Sequence, residues 1–182
     1  FDDTLTRNKA PYVVDEIIKE ASKKFDDIKT GGYKIQSTVD LNVQKIAQDA
    51  LVYGYNEILK RDKKANPEML NGAIVVTHPQ SGQILALIGG IDYAKSSYNR
   101  ATQSKRQPGS SFKPFIYQIA LDSGYSVVSQ VADIARTFDM GNGKEWTPKN
   151  YSGGFQGYIT IKSALTQSRN LATINLLNDL GL

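Results

Sequence analysis

The 182-residue sequence contains no cysteine, so neither a disulfide framework nor a thiolate metal site can form. Histidine is almost as scarce. His78 is the only one, which excludes a multi-histidine metal centre and any Ser-His-Asp triad that does not use it. No window reaches the uninterrupted apolar length of a membrane-crossing helix, and no signal-peptide pattern stands at the start. The first residue is Phe1 rather than Met, which predicts a processed or excised part of something longer, with any anchor or export signal outside it. Neither sign of charge dominates: 22 Lys and Arg face 18 Asp and Glu, a formal +4. That balance tolerates an anionic polymer as partner without selecting one, and nothing in it calls for nucleic acid. With 40% hydrophobic and 22% charged residues the composition is that of an ordinary globular chain, long enough for one sizeable core or one domain with a flanking segment.

Against this background one stretch suggests chemistry, Gln107-Pro108-Gly109-Ser110-Ser111-Phe112-Lys113-Pro114-Phe115. Pro108-Gly109 cannot extend a helix backward, so a helix is predicted from near Ser110 through Phe115, Ile116, Ile119 and Ala120. On a helix, residues three apart share a face, which lets Ser110 Oγ and Lys113 Nζ meet. The first N–H groups of a helix have no internal partner, so the Ser110 amide is free to donate to an oxyanion. The positive helix end, together with burial, disfavours the ammonium form of Lys113, and a neutral amine can take the serine proton. This is a Ser-Lys nucleophile. The same residues also read as an amphipathic helix with Phe112, Phe115 and Ile116 inside and Lys113 in solvent.

The rest of the chain gives elements in order. Phe1 to Lys9 is polar and aperiodic. From Pro11 a helix is predicted with Val14, Ile17, Ile18, Ala21 and Phe25 on one apolar stripe. Lys29-Thr30-Gly31 precedes a Gly31-Gly32 turn. Tyr33 to Val39 alternates as a strand would, and Asp40 caps a helix with Val43, Ile46, Ala47, Ala50, Leu51, Ile58 and Leu59 as its apolar positions. The charges from Lys60 to Lys64 read as a solvated helix end, and Asn66-Pro67 as a boundary. Ala73–Thr77 and Gln83–Ile88 form a hairpin around His78-Pro79-Gln80-Ser81-Gly82, with His78 a turn or surface residue. Lys95, Arg100, Lys105 and Arg106 make the approach to Ser110 basic, and at least two of them read as surface charge. Ser97-Tyr98-Asn99 fits S-x-N but precedes the nucleophile and is taken as incidental. After the helix ends near Gly124, Val127 to Phe138 is mixed, Met140 to Lys144 is a glycine-containing turn, and Trp146 to Tyr158 is an aromatic, glycine-rich loop. Thr160 caps a helix with Ile161, Ala164 and Leu165, interrupted at Gln167-Ser168-Arg169-Asn170 and followed by Leu171, Ala172, Ile174 and Leu176.

Asn99-Arg100-Ala101-Thr102-Gln103 with Arg106 through Phe115 resembles the nucleophile segment of class A penicillin-binding proteins, whose signature is S-x-x-K, S-x-N and K-T-G. Ser168-Arg169-Asn170 matches the second motif in the right order, arginine standing where the S-D-N form has aspartate. Lys29-Thr30-Gly31 lies upstream of Ser110 and is a decoy for the third, whose strand the resemblance puts beyond Leu182. Ala10 to Asp15 resembles the segment after a glycosyltransferase domain, Lys34 to Gln44 the inter-domain connection, and Pro148-Lys149-Asn150-Tyr151 a family pattern. At His78 the family more often has an acid.

The resemblance implies an α/β (α+β) fold of the serine β-lactamase and penicillin-binding transpeptidase type, an antiparallel sheet with helices, incomplete here for want of its C-terminal strands. It divides the chain into a linker, residues 1–70, and the first part of a transpeptidase domain, residues 71–182. Ser110 is then the nucleophile, Lys113 its general base, Ser168 a proton relay, and Asn170 a hydrogen-bond partner of the lysine or substrate. The implied reaction is D-Ala-D-Ala transpeptidation between donor and acceptor peptidoglycan stem peptides, with β-lactams acylating Ser110. No metal or organic cofactor enters. The work is expected outside the cytoplasmic membrane, held there by a segment outside this chain, and the piece is expected to be impaired without the downstream strand. Two rivals are a D,D-carboxypeptidase using the same residues and a non-catalytic module that binds peptidoglycan or a partner.

Overall fold

The computed structural model describes residues 8–181, so the expectations for Phe1–Arg7 and for Leu182 lie outside the described residues. The chain forms two compact units, residues 1–105 and 106–182.

The first unit is a hairpin with a helix on each face. Strands β1 (Ile74–Thr77) and β2 (Ile84–Ile88) pair antiparallel, with Ile74 opposite Ile88 and an irregularity between Val76 and Thr77. The turn closes as the proline and glycine predict: His78 N–H donates to Gln83 O at 2.8 Å, and Gly82 N–H to His78 O at 2.8 Å. Side chains alternate across a strand. Leu87 therefore joins Ala10 and Val13 beneath α1 (Pro11–Ala21), whereas Ala86 and Ile88 pack with Ala47, Val43 and Leu51 of α2 (Leu41–Arg61). Gln44 of α2 is buried, and its amide exchanges two hydrogen bonds with the Leu87 backbone, as a neighbouring strand would.

Several local expectations shift here. In α1 the buried residues are Tyr12 and Val13 rather than Val14, and the helix stops at Ala21, leaving Phe25 exposed beyond it. Tyr12 is held inside because its hydroxyl reaches Ser96 O at 2.7 Å, which rotates the packed face. Ile46, expected on the apolar face of α2, is also exposed. Tyr33–Val39 forms no strand. Asp40 N–H to Leu85 O and Thr38 Oγ1 to Ile84 O tie down only its end, too few bonds for a ladder. Asp40 itself caps α2 through the Asn42 and Val43 amides. Lys29-Thr30-Gly31 lies in a turn in which the Thr30 and Gly31 amides both donate to Asp27 O. Asn99 is buried in a turn, its Oδ1 accepting from Ala101 N–H. That turn requires Gly89, because a Cβ there would sit 2.5 Å from Asn99 Oδ1 and 2.7 Å from the Tyr12 ring.

The second unit begins with a tight 3₁₀ turn, Gly109–Phe112, leading into α3 (Lys113–Asp122). Then come β3 (Gln130–Asp133), the small pair β4 (Phe138–Asp139) and β5 (Glu145–Trp146), β6 (Gly157–Thr160), α4 (Ile161–Thr166) and α5 (Asn170–Asp179). β3 pairs with β6 and β4 with β5, all antiparallel. Ile116, Tyr117 and Ala120 of α3 meet Val131, Ile161, Ala164, Ala172 and Leu176 in one core. Thr160 caps α4 as expected, its hydroxyl accepting from Ser163 N–H at 3.1 Å. Among the described residues no helix is long and apolar enough to cross a membrane.

Candidate active site

The helix carrying Ser110 and Lys113 is oriented opposite to the amphipathic expectation. Lys113 is only 7% exposed, whereas Phe112 and Phe115 are 52% and 64% exposed. Ile116 is inside, as both readings require. Burying a long cation in preference to two phenylalanines is costly unless its donors are met. They are met in full. Nζ lies 2.7 Å from Ser168 O, 3.1 Å from Ser168 Oγ and 2.7 Å from Asn170 Oδ1. An ammonium has three protons, so each has one acceptor. None of these acceptors carries a charge, and burial lowers the Lys113 pKa from the ordinary lysine value.

Ser110 is exposed, within the 3₁₀ turn rather than in the first turn of an α-helix. The turn tightens because Ser111 Oγ donates back to Pro108 O at 2.5 Å and the Lys113 amide to Ser110 O. No hydrogen bond joins Ser110 Oγ to Lys113 Nζ among the described residues. The structure thus brings Lys113, Ser168 and Asn170 together, with Ser110 three residues from the lysine on an open turn.

Ser168 sits where α4 ends. Its amide donates to Leu165 O and the Arg169 amide to Ala164 O, the paired pattern that closes a helix through a residue in the left-handed conformation. That residue is usually glycine, since a Cβ there costs on the order of 1–2 kcal/mol. Here it is Ser168, with φ of 52°. The strained backbone points both its carbonyl and its hydroxyl at Lys113. Asn170 is fixed from its other side: Nδ2 donates to Lys149 O at 3.1 Å, which turns Oδ1 toward the lysine.

Sequence reasoning gave no role to the residues behind this turn. Arg169 is buried, and its guanidinium reaches Asp133 Oδ2 through Nε at 2.9 Å and Nη2 at 2.5 Å, with Ser152 Oγ and Gly154 O as further acceptors. Asp133 is wholly buried and also accepts from Asn150 Nδ2 and the Gln156 amide, both at 2.9 Å. Burial alone would raise its carboxyl. The bonds from Arg169, Asn150 and Gln156, with the Arg169 charge, outweigh that and hold it below the usual carboxylate value. The available signal was an aspartate inside the apolar run Val131-Ala132-Asp133-Ile134, together with an arginine at the centre of S-x-N. Among the described residues no buried side-chain nitrogen or oxygen lacks a partner.

Residues 72–182 match the family profile "Penicillin binding protein transpeptidase domain". The chain is 45% identical to penicillin-binding protein 1A of Neisseria flavescens over 116 residues, 63% of this chain and 14% of that protein. It is 47% identical to the Pseudomonas aeruginosa protein of the same name over 111 residues, 60% of this chain and 14% of that one. The chain thus spans about one seventh of the length of these curated relatives. Among solved structures, penicillin-binding protein 1A of Haemophilus influenzae superposes with a TM-score of 0.79 at 23% identity, over 93% of this chain and 39% of that one. The Mycobacterium tuberculosis protein PonA1 in complex with penicillin V does so at 0.70 and 26% identity, over 90% of this chain and 39% of that one.

Proposed function

The chain belongs to the penicillin-binding protein transpeptidase family, and on that premise we propose that Ser110 is an acyl-transfer nucleophile served by Lys113, Ser168 and Asn170. The observation that supports this most is the buried Lys113, held by Ser168 and Asn170 beside exposed phenylalanines. A helix built only for packing would reverse that arrangement.

Donor and acceptor counting assigns the roles. Neutral lysine keeps two protons and gains a lone pair. Ser168 O and Asn170 Oδ1, both at 2.7 Å, can only accept, so they retain the two protons. The lone pair then faces the third position, where Ser168 Oγ stands at 3.1 Å. A hydroxyl can reverse and donate, so Ser168 tolerates either protonation state of the lysine. In the reaction, the Lys113 amine swings its lone pair from Ser168 Oγ to Ser110 Oγ, which attacks the carbonyl between two terminal D-alanines of a stem peptide as its proton passes to the amine. As the C–N bond breaks, Lys113 returns a proton to the leaving D-Ala nitrogen through Ser168. An amine of a second stem peptide then attacks the Ser110 ester, completing the cross-link and restoring the serine proton by the same route. The developing oxyanion is met by the Ser110 amide at the start of the turn. β-Lactams enter by the first step and remain. The chemistry uses no metal or organic cofactor. We place the work outside the cytoplasmic membrane, in peptidoglycan synthesis, with residues 1–70 as a linker following a glycosyltransferase domain and residues 71–182 as the opening of the transpeptidase domain.

The test is to incubate the full chain with a fluorescent penicillin and locate any adduct by intact and peptide mass spectrometry. An adduct on Ser110, absent in Ser110→Ala and Lys113→Ala, is expected. Label on Ser110 only in a version extended through the downstream K-T-G strand would mean that the piece is impaired without that strand, and absence of label in both would overturn the proposal, leaving a binding module. With stem peptides as substrate, cross-linked dimer is expected, and trimmed peptide alone would replace transpeptidation by carboxypeptidase action.

A further inference from the structure

We infer that Asp133 is a positioning residue for the Lys113 site, acting through Arg169 and Asn150 to fix the turn that carries Ser168 and Asn170. The inference rests on the acyl-transfer reading of Ser110 and Lys113 and deepens it.

All three acceptors of Lys113 come from Ser168, in the short turn between α4 and α5, and from Asn170, the first residue of α5. That turn is poorly secured by its own residues. Ser168 occupies a left-handed conformation, and α5 receives no side-chain cap from its N-cap residue, Arg169. A strained residue and an uncapped helix start persist only where the surroundings over-determine them. Here the surroundings converge on Asp133, which receives four N–H bonds, two from Arg169 and one each from Asn150 and Gln156. The Arg169 guanidinium holds the middle of the turn from behind. Asn150, oriented by its own bond to Asp133, supplies the missing cap from another loop, its Oδ1 accepting from Leu171 N–H at 3.0 Å. Its chain neighbour Lys149 offers the carbonyl that orients the Asn170 amide. One carboxylate in β3 therefore governs both sides of the turn without touching Lys113.

The experiment compares the full chain with Asp133→Asn, which keeps shape but gives Arg169 an uncharged partner, and with Arg169→Lys, which keeps the charge but not the planar fork. Rapid-mixing acylation by a chromogenic penicillin separates the limiting acylation rate from the pre-acylation dissociation constant, and the burst amplitude counts sites able to react. Small misplacement of a reacting group costs up to about a hundredfold, so in Asp133→Asn the limiting rate is expected to fall about ten- to a hundredfold. The dissociation constant should hold within about twofold, and Arg169→Lys should fall less. A purely structural role would lower the amplitude and leave the rate of the remaining sites unchanged, which would overturn the inference. Should Asp133→Asn not fold, an unchanged rate in Arg169→Lys would overturn it equally. Hydrogen exchange of the Arg169 to Leu171 amides is read in parallel and is expected to quicken in the folded variant. If neither the wild-type chain nor a version extended through the downstream K-T-G strand took label, the acyl-transfer reading would fail, and exchange would still decide for Asp133: faster exchange supports its hold on the turn, unchanged exchange removes it.

Discussion

Lys113 has as many acceptors as protons, and that equality makes its titration informative. Because burial depresses its pKa, the acylation rate of Ser110 is expected to rise with pH through a group titrating below the ordinary lysine range of about 10.4. Rapid-mixing acylation between about pH 5 and 10 checks this, and Lys113→Arg should abolish the rise, since a guanidinium cannot give up its proton. The linkage has a definite sign. Between the depressed folded value and about 10.4 the unfolded chain holds the additional proton, so Lys113 makes the fold more stable as pH rises through that window. Ser168 allows two further variants to be set against each other. Ser168→Gly removes the left-handed strain and should leave the unfolding free energy equal or higher, by up to about 1 kcal/mol. Ser168→Ala keeps the strain. Both remove the hydroxyl and should slow acylation alike, so calorimetry and labelling together separate the backbone role of residue 168 from its side-chain role.

The helices differ in where their caps come from. Thr160 caps α4 from its own chain, three residues before the amide it meets, and Thr160→Ala is expected to cost about 1 kcal/mol in denaturant unfolding. Asn150 caps α5 from another loop while also bonding the buried Asp133. Asn150→Ala should therefore cost more, about 2–4 kcal/mol, because it strands a buried amide and thins the shell of a buried carboxylate. This contrast also explains what could be read beforehand. Thr160, Asp40 and the hairpin around His78 announce themselves through neighbours in sequence, whereas the spacing of Ser110 and Lys113 did not foretell that the lysine would turn to Ser168 and Asn170. The orientation of α1 does not announce itself either, because it depends on Tyr12 reaching Ser96. Tyr33–Val39 has the alternation of a strand but lacks a partner ladder, and alternation carries no information about partners. The Ser168 and Asn170 side of the site was legible from the motif and its flanks. The buried pair Asp133 and Arg169 was not, since two opposite charges 36 residues apart look alike whether solvated or joined.

Across the whole molecule, the described residues form three separate two-stranded sheets, and every residue of the candidate site belongs to the second compact unit. That unit also buries Lys113, Asn150, Thr173 and Asn175, but among the described residues Asp133 and Arg169 form its one buried ion pair, so its acid stability should follow this pair. The Asp133 carboxyl lies below its ordinary value. Its contribution is thus fully present above the unfolded value of about 3.9 and is lost as pH falls through the folded one. At neutral pH, Asp133→Asn is expected to be about 3–5 kcal/mol less stable than wild type, because the arginine remains buried without its counter-charge. Urea unfolding from about pH 7 to 2 should show that gap narrowing only below about pH 4. A gap constant over the whole range would mean that the charge is not what joins them. The left-handed serine has a consequence on a longer timescale as well. With Ser168 in its proposed relay role, selection for chemistry and selection for folding pull residue 168 in opposite directions, so a lineage released from the first should drift to glycine there while keeping Asp133, Asn150 and Arg169. A descendant reading G-R-N in place of S-R-N would be the fossil of this site, with its scaffold intact and its reaction gone.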